Sequence, residues 1–168
     1  ALNYPEFEII LINDGSKDKT LEIVKEAFEL EPITRVQEGT IATKKVKQIY
    51  RSSQHKNLIV IDKENGGKSD ALNAGINLSR YPIFTAIDTD SLLEKNVLMQ
   101  MIRPFIERPE TVAVGGVVRI INGCKSNYGE VEEIDLPKNP VVLFQIVEYF
   151  RAFLFGRVGW EALNMLLV

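Results

Sequence analysis

Pro82-Ile83-Phe84-Thr85-Ala86-Ile87-Asp88-Thr89-Asp90 lies near the middle of the chain, and the reading of the fold turns on it. Residues 84–87 are a short apolar run with Tyr81-Pro82 before them and acid after them, which predicts a buried strand. Asp88 and Asp90 then stand one residue apart where that strand ends. Open α/β sheets bind ligands outside the carboxyl ends of their strands, so an acid pair there faces a crevice. Mg²⁺ takes oxygen ligands and is typically held by one or two carboxylates plus a substrate's phosphates. The pair is a candidate seat for a metal and a diphosphate. It also suits a solvated turn, since Asp favours turns.

Working outward, two further runs end in the same manner. Residues 7–12 (FEIILI) suit a strand buried on both faces, and Asn13-Asp14-Gly15-Ser16 breaks it with turn chemistry. Asp14 reads either as part of an ordinary loop or as an acid that holds a ribose or base. Residues 57–62 (NLIVID) form the second buried run, followed by Asn65-Gly66-Gly67-Lys68. Gly66 and Gly67 let the backbone approach a ligand. Lys68, at the start of a helix predicted to end near Leu78, can meet an anion together with the helix N–H groups. A turn with an exposed lysine accounts for the same residues. The G-x-x-x-x-G-K-[ST] spacing of a Walker A loop is absent.

The segments between these runs read more plainly. A helix is predicted over about 18–30, with Leu21, Val24, Ala27 and Phe28 on one face. Residues 37–56 carry Lys44, Lys45, Lys47, Arg51 and Lys56 against Glu38. They suit a solvated face or a short basic amphipathic helix on an anionic membrane surface. Ala71, Ala74 and Gly75 keep the following helix thin enough to pack closely on a sheet. Residues 94–106 read as a helix that Pro104 kinks or ends. Residues 111–121 read as a long strand bent at Gly115-Gly116, and 125–139 as a loop. Residues 141–168 are apolar and predicted helical, with Phe144, Val147, Phe150, Phe153, Leu154 and Trp160 in a wide stripe. That stripe suits a core helix, or a surface made for a membrane or a further part of the protein. Strands alternating with helices predict a mostly parallel α/β sheet.

Composition narrows the function. The 168 residues are 45% hydrophobic and 26% charged, ordinary for one soluble globular domain. A formal net charge of -3 gives no general pull toward nucleic acid. Cys124 is the only cysteine, which excludes an intrachain disulfide and a cysteine-based zinc site; His55 is the only histidine, with no triad context. No apolar run reaches the ~18 residues of a membrane span, and no signal peptide opens the chain. The start at Ala1 suggests a piece of a longer protein.

The ordered blocks carry a resemblance. Ile12-Asn13-Asp14-Gly15-Ser16-Lys17-Asp18-Lys19-Thr20, then Glu64-Asn65-Gly66-Gly67-Lys68-Ser69-Asp70-Ala71-Leu72-Asn73-Ala74-Gly75, then Asp88-Thr89-Asp90, resemble the processive-type family-two glycosyltransferases. That group includes the cellulose, hyaluronan and poly-N-acetylglucosamine synthases. The similarity runs on through Gly115-Gly116, Asn122-Gly123 and Glu148-Tyr149-Phe150-Arg151. It implies a Rossmann-like GT-A sheet with flanking helices, here incomplete, that binds a nucleotide sugar, usually a UDP-sugar. It implies Asp14 at the uracil or ribose and Lys68, with Gly67, at the diphosphate side. Asp88 would lie by the ribose and donor sugar, and Asp88 and Asp90 would hold Mg²⁺ or Mn²⁺. A glycan acceptor and inverting transfer follow from the same resemblance.

The departures are as informative. The resemblance calls for a strand before the N-D-G-S strand, and for later T-E-D and Q-x-x-R-W blocks that supply the catalytic base and acceptor contacts. Neither block occurs: Glu132-Glu133-Ile134-Asp135 and Arg157-Val158-Gly159-Trp160 do not match, so the catalytic base is unassigned. The expected division is a donor-binding domain over 1–140 and an apolar helical segment over 141–168 leading toward an acceptor or membrane region. A longer protein of this kind would sit on the cytoplasmic face of a bacterial inner membrane. The chain alone is expected to be soluble, inactive in transfer and prone to self-association. Three alternatives stay open at this point. One is a nucleotide-sugar-binding module without turnover. Another is a haloacid-dehalogenase-like phosphatase with Asp88 as nucleophile, against which Leu92 stands where that pattern wants Thr or Val. The third is a phosphorylated receiver module, whose acid and lysine positions this chain does not reproduce.

Overall fold

The computed structural model describes residues 2–35, 39–127 and 130–158. The chain divides into two compact units: Pro5–Thr89, and Ala1–Tyr4 with Asp90–Val168.

The Pro5–Thr89 unit holds a four-stranded sheet and two helices. Its elements are β1 (Ile9–Asp14), α1 (Thr20–Ala27), β2 (Leu30–Ile33), β3 (Val46–Ser52), β4 (Leu58–Lys63) and α2 (Lys68–Leu78). The strand order is β1-β4-β3-β2. β1 and β4 are parallel and in register from Ile9 opposite Leu58 to Asp14 opposite Lys63. β2–β3 and β3–β4 are antiparallel. The core is built where β4, the most buried strand, meets α2: Ile49, Ile59, Ile61, Ala74 and Leu78. Small residues let α2 come close, since a Cβ added at Gly75 would lie 3.0 Å from Ile12 Cδ1. Several buried or half-buried polar groups are paired, while Asn13 Oδ1 has no hydrogen-bond partner among the described residues. Asn77 clamps the Ile41 main chain from both sides, at 3.1 Å and 2.7 Å, and Glu8 holds Arg35 and Arg80. A cavity of about 430 Å³ lies between β1 and α1, bounded by Leu11, Asn13, Leu21, Val24 and Val60.

Four expectations for this unit are corrected. The sheet is mixed, with one parallel pair, rather than mostly parallel. The basic stretch at 37–56 contains β3, not a helix. Its Val46, Ile49 and Tyr50 suit a pleated surface, Lys47 and Arg51 stay exposed, and β2 and β4 satisfy its backbone on both sides. Residues 84–87 form no strand and are exposed, Phe84 at 58%. A strand needs a neighbour for its N–H and C=O groups. Among the described residues, 84–87 has none, and β1 is paired on one side only. β1 is accordingly an edge strand, with Ile9 exposed, rather than one buried on both faces.

The second unit is mainly helical. It comprises α3 (Val97–Glu107), a hairpin of β5 (Lys125–Asn127) and β6 (Glu130–Glu133), α4 (Pro140–Arg151) and a π-helical continuation, Ala152–Val158. α3 tolerates Pro104 near its end; the Pro104 carbonyl accepts from Arg108 N at 2.9 Å and Thr111 Oγ1 at 3.2 Å, closing the helix. α4 starts on an Asn-Pro signal, with Asn139 Oδ1 accepting the Val141 N–H at 2.9 Å. Residues 111–121 are irregular and largely exposed rather than a strand. The expected loop at 125–139 contains the β5–β6 hairpin, pinned by the Lys125–Glu133 ion pair. The predicted helix at 141–168 is present as far as Val158, and Trp160 lies outside the described residues. Val141, Phe144 and Val147 of α4 are exposed. No helix among the described residues is long and apolar enough to cross a membrane.

Candidate functional site

The register of β1 and β4 sets Asp14 beside Lys63, each the last residue of its strand. Lys63 Nζ donates to Asp14 Oδ1 at 2.6 Å and to the Glu64 carbonyl at 2.6 Å, and stands 2.5 Å from Asp70 Oδ1. The Asp14 carboxylate also accepts the Gly66 N–H at 3.0 Å and the Gly67 N–H at 2.7 Å. Asn65 Nδ2 donates to the Asp14 carbonyl at 2.8 Å. Asp70, in the first turn of α2, accepts the Lys44 N–H at 2.9 Å. The loop between β4 and α2 is thereby wrapped on the end of β1.

Two glycines make that wrapping feasible. Gly15 has φ +71°, and a Cβ there would lie 2.8 Å from Asn65 N. Gly67 caps α2 with φ +85°, and the space where its Cβ would stand is open, so a ligand can approach the backbone there.

The electrostatics follow from these contacts. Burial alone would raise the Asp14 pKa, but hydrogen bonds from Lys63, Gly66 and Gly67 outweigh it and hold the carboxyl below its usual range. Asp70 is lowered chiefly by its contact with Lys63. For Lys63, burial pulls the pKa down, yet Asp14 and Asp70 together lift it above the usual lysine value. All three groups are ionised across the neutral range.

Lys68, the first residue of α2, forms a 2.6 Å ion pair with Asp88 Oδ1. The structure thus gathers four predicted residues into two local arrangements in one unit: Asp14 with the Gly67 N–H, and Lys68 with Asp88. Asp88 does not stand at a strand end as expected; the lysine, not a ladder, receives it. Asp90 is exposed and is the first residue of the second unit after Tyr4. Among the described residues, no group of three or more His, Cys, Asp or Glu side chains gathers to hold a metal. Exposed carboxylates at Asp88 and Asp90 are hard oxygen donors. Oxygen donors of that kind are what Mg²⁺ or Mn²⁺ takes.

Two residues escaped the sequence reading. Lys63 and Asp70 flank the recognised N-G-G-K block, and nothing local marks either as more than a charge beside a turn. The one usable signal was a lysine closing an otherwise apolar strand next to an acid that closes another.

The family model for Glycosyl transferase family 2 matches residues 1–155. Among curated proteins, the chain is similar to the poly-beta-1,6-N-acetyl-D-glucosamine synthases of Staphylococcus aureus (strain COL) and Staphylococcus epidermidis, 32% identical to each over 136 residues. These matches cover 80% of this chain and 27% of each relative, so the chain spans about a quarter of their length. No solved structure matches it.

Proposed function

The chain belongs to glycosyl transferase family 2, and from that premise we propose that it binds a UDP-sugar donor whose sugar passes to a glycan acceptor. This replaces the phosphatase and receiver alternatives. The observation that carries the proposal is the Lys68–Asp88 pair at 2.6 Å, which joins two candidate donor residues from distant parts of the sequence. Asp14 receives the uracil or ribose, with Gly67 lining the approach. Lys68 receives the diphosphate, and Asp88 lies by the ribose and sugar. An exposed ion pair is worth ~0–1 kcal/mol, so giving up the Lys68–Asp88 contact costs little when a phosphate oxygen takes its place on Lys68.

Asp88 and Asp90 would hold Mg²⁺ or Mn²⁺, which supplies Lewis-acid neutralisation of the leaving diphosphate. Inverting transfer needs a base that deprotonates the acceptor hydroxyl, and no residue here is assigned that role. Donor binding, rather than turnover, is the activity proposed for residues 1–140. The exposed Val141, Phe144 and Val147 support a segment that leads toward an acceptor or membrane region. The relatives are named for a poly-N-acetylglucosamine product, which makes UDP-N-acetylglucosamine the first donor to test.

Calorimetric titration tests the core of the reading. UDP is expected to bind in Mn²⁺ and weakly in EDTA. Asp90→Ala should remove the difference while leaving the circular dichroism spectrum unchanged. Equal affinity in EDTA and Mn²⁺ would count against the site.

A further inference from the structure

We infer that Lys63 is a positioning residue of the nucleotide subsite: its buried ammonium sets which face of the Asp14 carboxylate is left for the donor. The inference rests on the donor reading of Asp14 given above.

Lys63 Nζ donates to Asp14 Oδ1 at 2.6 Å and to the Glu64 carbonyl at 2.6 Å, and Asp70 Oδ1 stands 2.5 Å away as an ion-pair partner outside hydrogen-bond geometry. Its side chain is 0% exposed, so water does not compete for those positions. The Asp14 oxygens are loaded unequally as a result. Among the described residues, Oδ1 accepts from both Lys63 and the Gly66 N–H, while Oδ2 accepts only the Gly67 N–H. A carboxylate oxygen accepts about two hydrogen bonds, so Oδ1 is full and Oδ2 keeps one free position. A nucleoside N–H or O–H meets Asp14 there, provided the carboxyl stays ionised.

Lys63 also secures that condition. The charged groups around it are Asp14 from β1 and Asp70 from α2. The loop preceding β3 contributes the Lys44 main-chain N–H to Asp70, Val46 of β3 pairs opposite Lys63 without charge, and Asp62 is held by Asn13. Lys68 is engaged with Asp88. Lys63 is therefore the one side-chain cation between these two acids among the described residues. Without it, two neighbouring carboxylates share a site, and one retains its proton toward neutral pH.

The test is UDP affinity, in Mn²⁺, for Lys63→Met relative to wild type from pH 5.5 to pH 8; the ratio cancels the ligand's own ionisation. The expected result is a variant ~tenfold weaker at pH 5.5, with the ratio shrinking as pH rises, a loss that requires about nine-tenths of the unpaired carboxyl to be protonated at the acid end of the range. A pH-independent ratio, or equal affinity, overturns the inference. Lys63→Arg is the second variant, and carries the test alone if Lys63→Met does not fold. It keeps a cation between the two acids, so whatever its affinity at pH 8, a ratio to wild type that stays flat from pH 5.5 to pH 8 is expected. A Lys63→Arg ratio that changes tenfold across that range would mean that the cation does not keep Asp14 ionised, and also overturns the inference. If wild type itself fails to bind UDP, the donor reading falls and takes this inference with it. Binding by wild type with an unaffected Lys63→Met sinks the inference alone.

Discussion

Two lysine–aspartate pairs in the Pro5–Thr89 unit share a 2.6 Å contact and differ in their surroundings. Lys63 is fully buried and its partner Asp14 is tied down by two further N–H donors. The Lys68 and Asp88 side chains are 71% and 63% exposed. Distance alone therefore says little about what a pair does. Removing one partner of a buried pair leaves an uncompensated charge, which is costly; water repays most of the loss at an exposed pair. The first arrangement is suited to hold a geometry. The second is suited to be exchanged for a ligand.

The contrast can be broken most decisively at Lys63. Lys63→Ala leaves Asp14 and Asp70 facing each other, and urea unfolding is expected to show a loss of about 3–5 kcal/mol. A loss below about 1 kcal/mol would put the buried pair in the same class as the exposed one. Lys68→Ala is the complementary experiment. It should weaken UDP binding roughly tenfold, through the lost charge-assisted contact, yet move unfolding stability by no more than about 0.5 kcal/mol. An unchanged UDP affinity would reduce Lys68 to a solvated residue at a helix start.

The smallest expected effect is a flat pH response near neutrality. Asp14 and Asp70 have lowered folded pKa values, so their stabilisation is fully present above the ordinary value of 3.8 and is lost as pH falls through the folded values. Lys63 is raised, so its stabilisation is present below the ordinary 10.5 and is lost as pH rises through its folded value. Between about pH 5 and pH 9 this cluster contributes no slope, and stability falls on either side. Urea midpoints across that range provide the check. A slope near pH 6 in the wild type would show that one of these carboxyls titrates near neutrality in the folded protein.

What could be read locally was read from the sequence alone. β1 and β4 declared themselves as apolar runs ended by polar turns, and α2 by its small residues after Gly66-Gly67. The N-D-G-S and N-G-G-K blocks marked the loops that carry Asp14 and Lys68, because Gly15 and Gly67 occupy backbone conformations other residues avoid. These signals depend on neighbours a few residues away. The same local reading failed where a segment's state depends on a partner. The 37–56 stretch read as a solvated face or a short basic helix because its cations dominate the composition, and only pairing with β2 and β4 makes 46–52 a strand. Residues 84–87 have a strand's composition and form none, because backbone groups without a ladder neighbour have nothing to bond in that geometry.

The site divides along the same line. Motif order alone pointed to Asp14, Lys68 and Asp88 as the residues of the proposed donor site. That Lys63 and Asp70 complete the surroundings of Asp14 was decided only by the tertiary structure. It takes the parallel register of β1 against β4 to set Asp14 opposite Lys63, and the docking of α2 to bring Asp70 within 2.5 Å of the same ammonium. Register and docking are set by which apolar faces meet across the core, a property of the assembled sheet that no single stretch of chain contains.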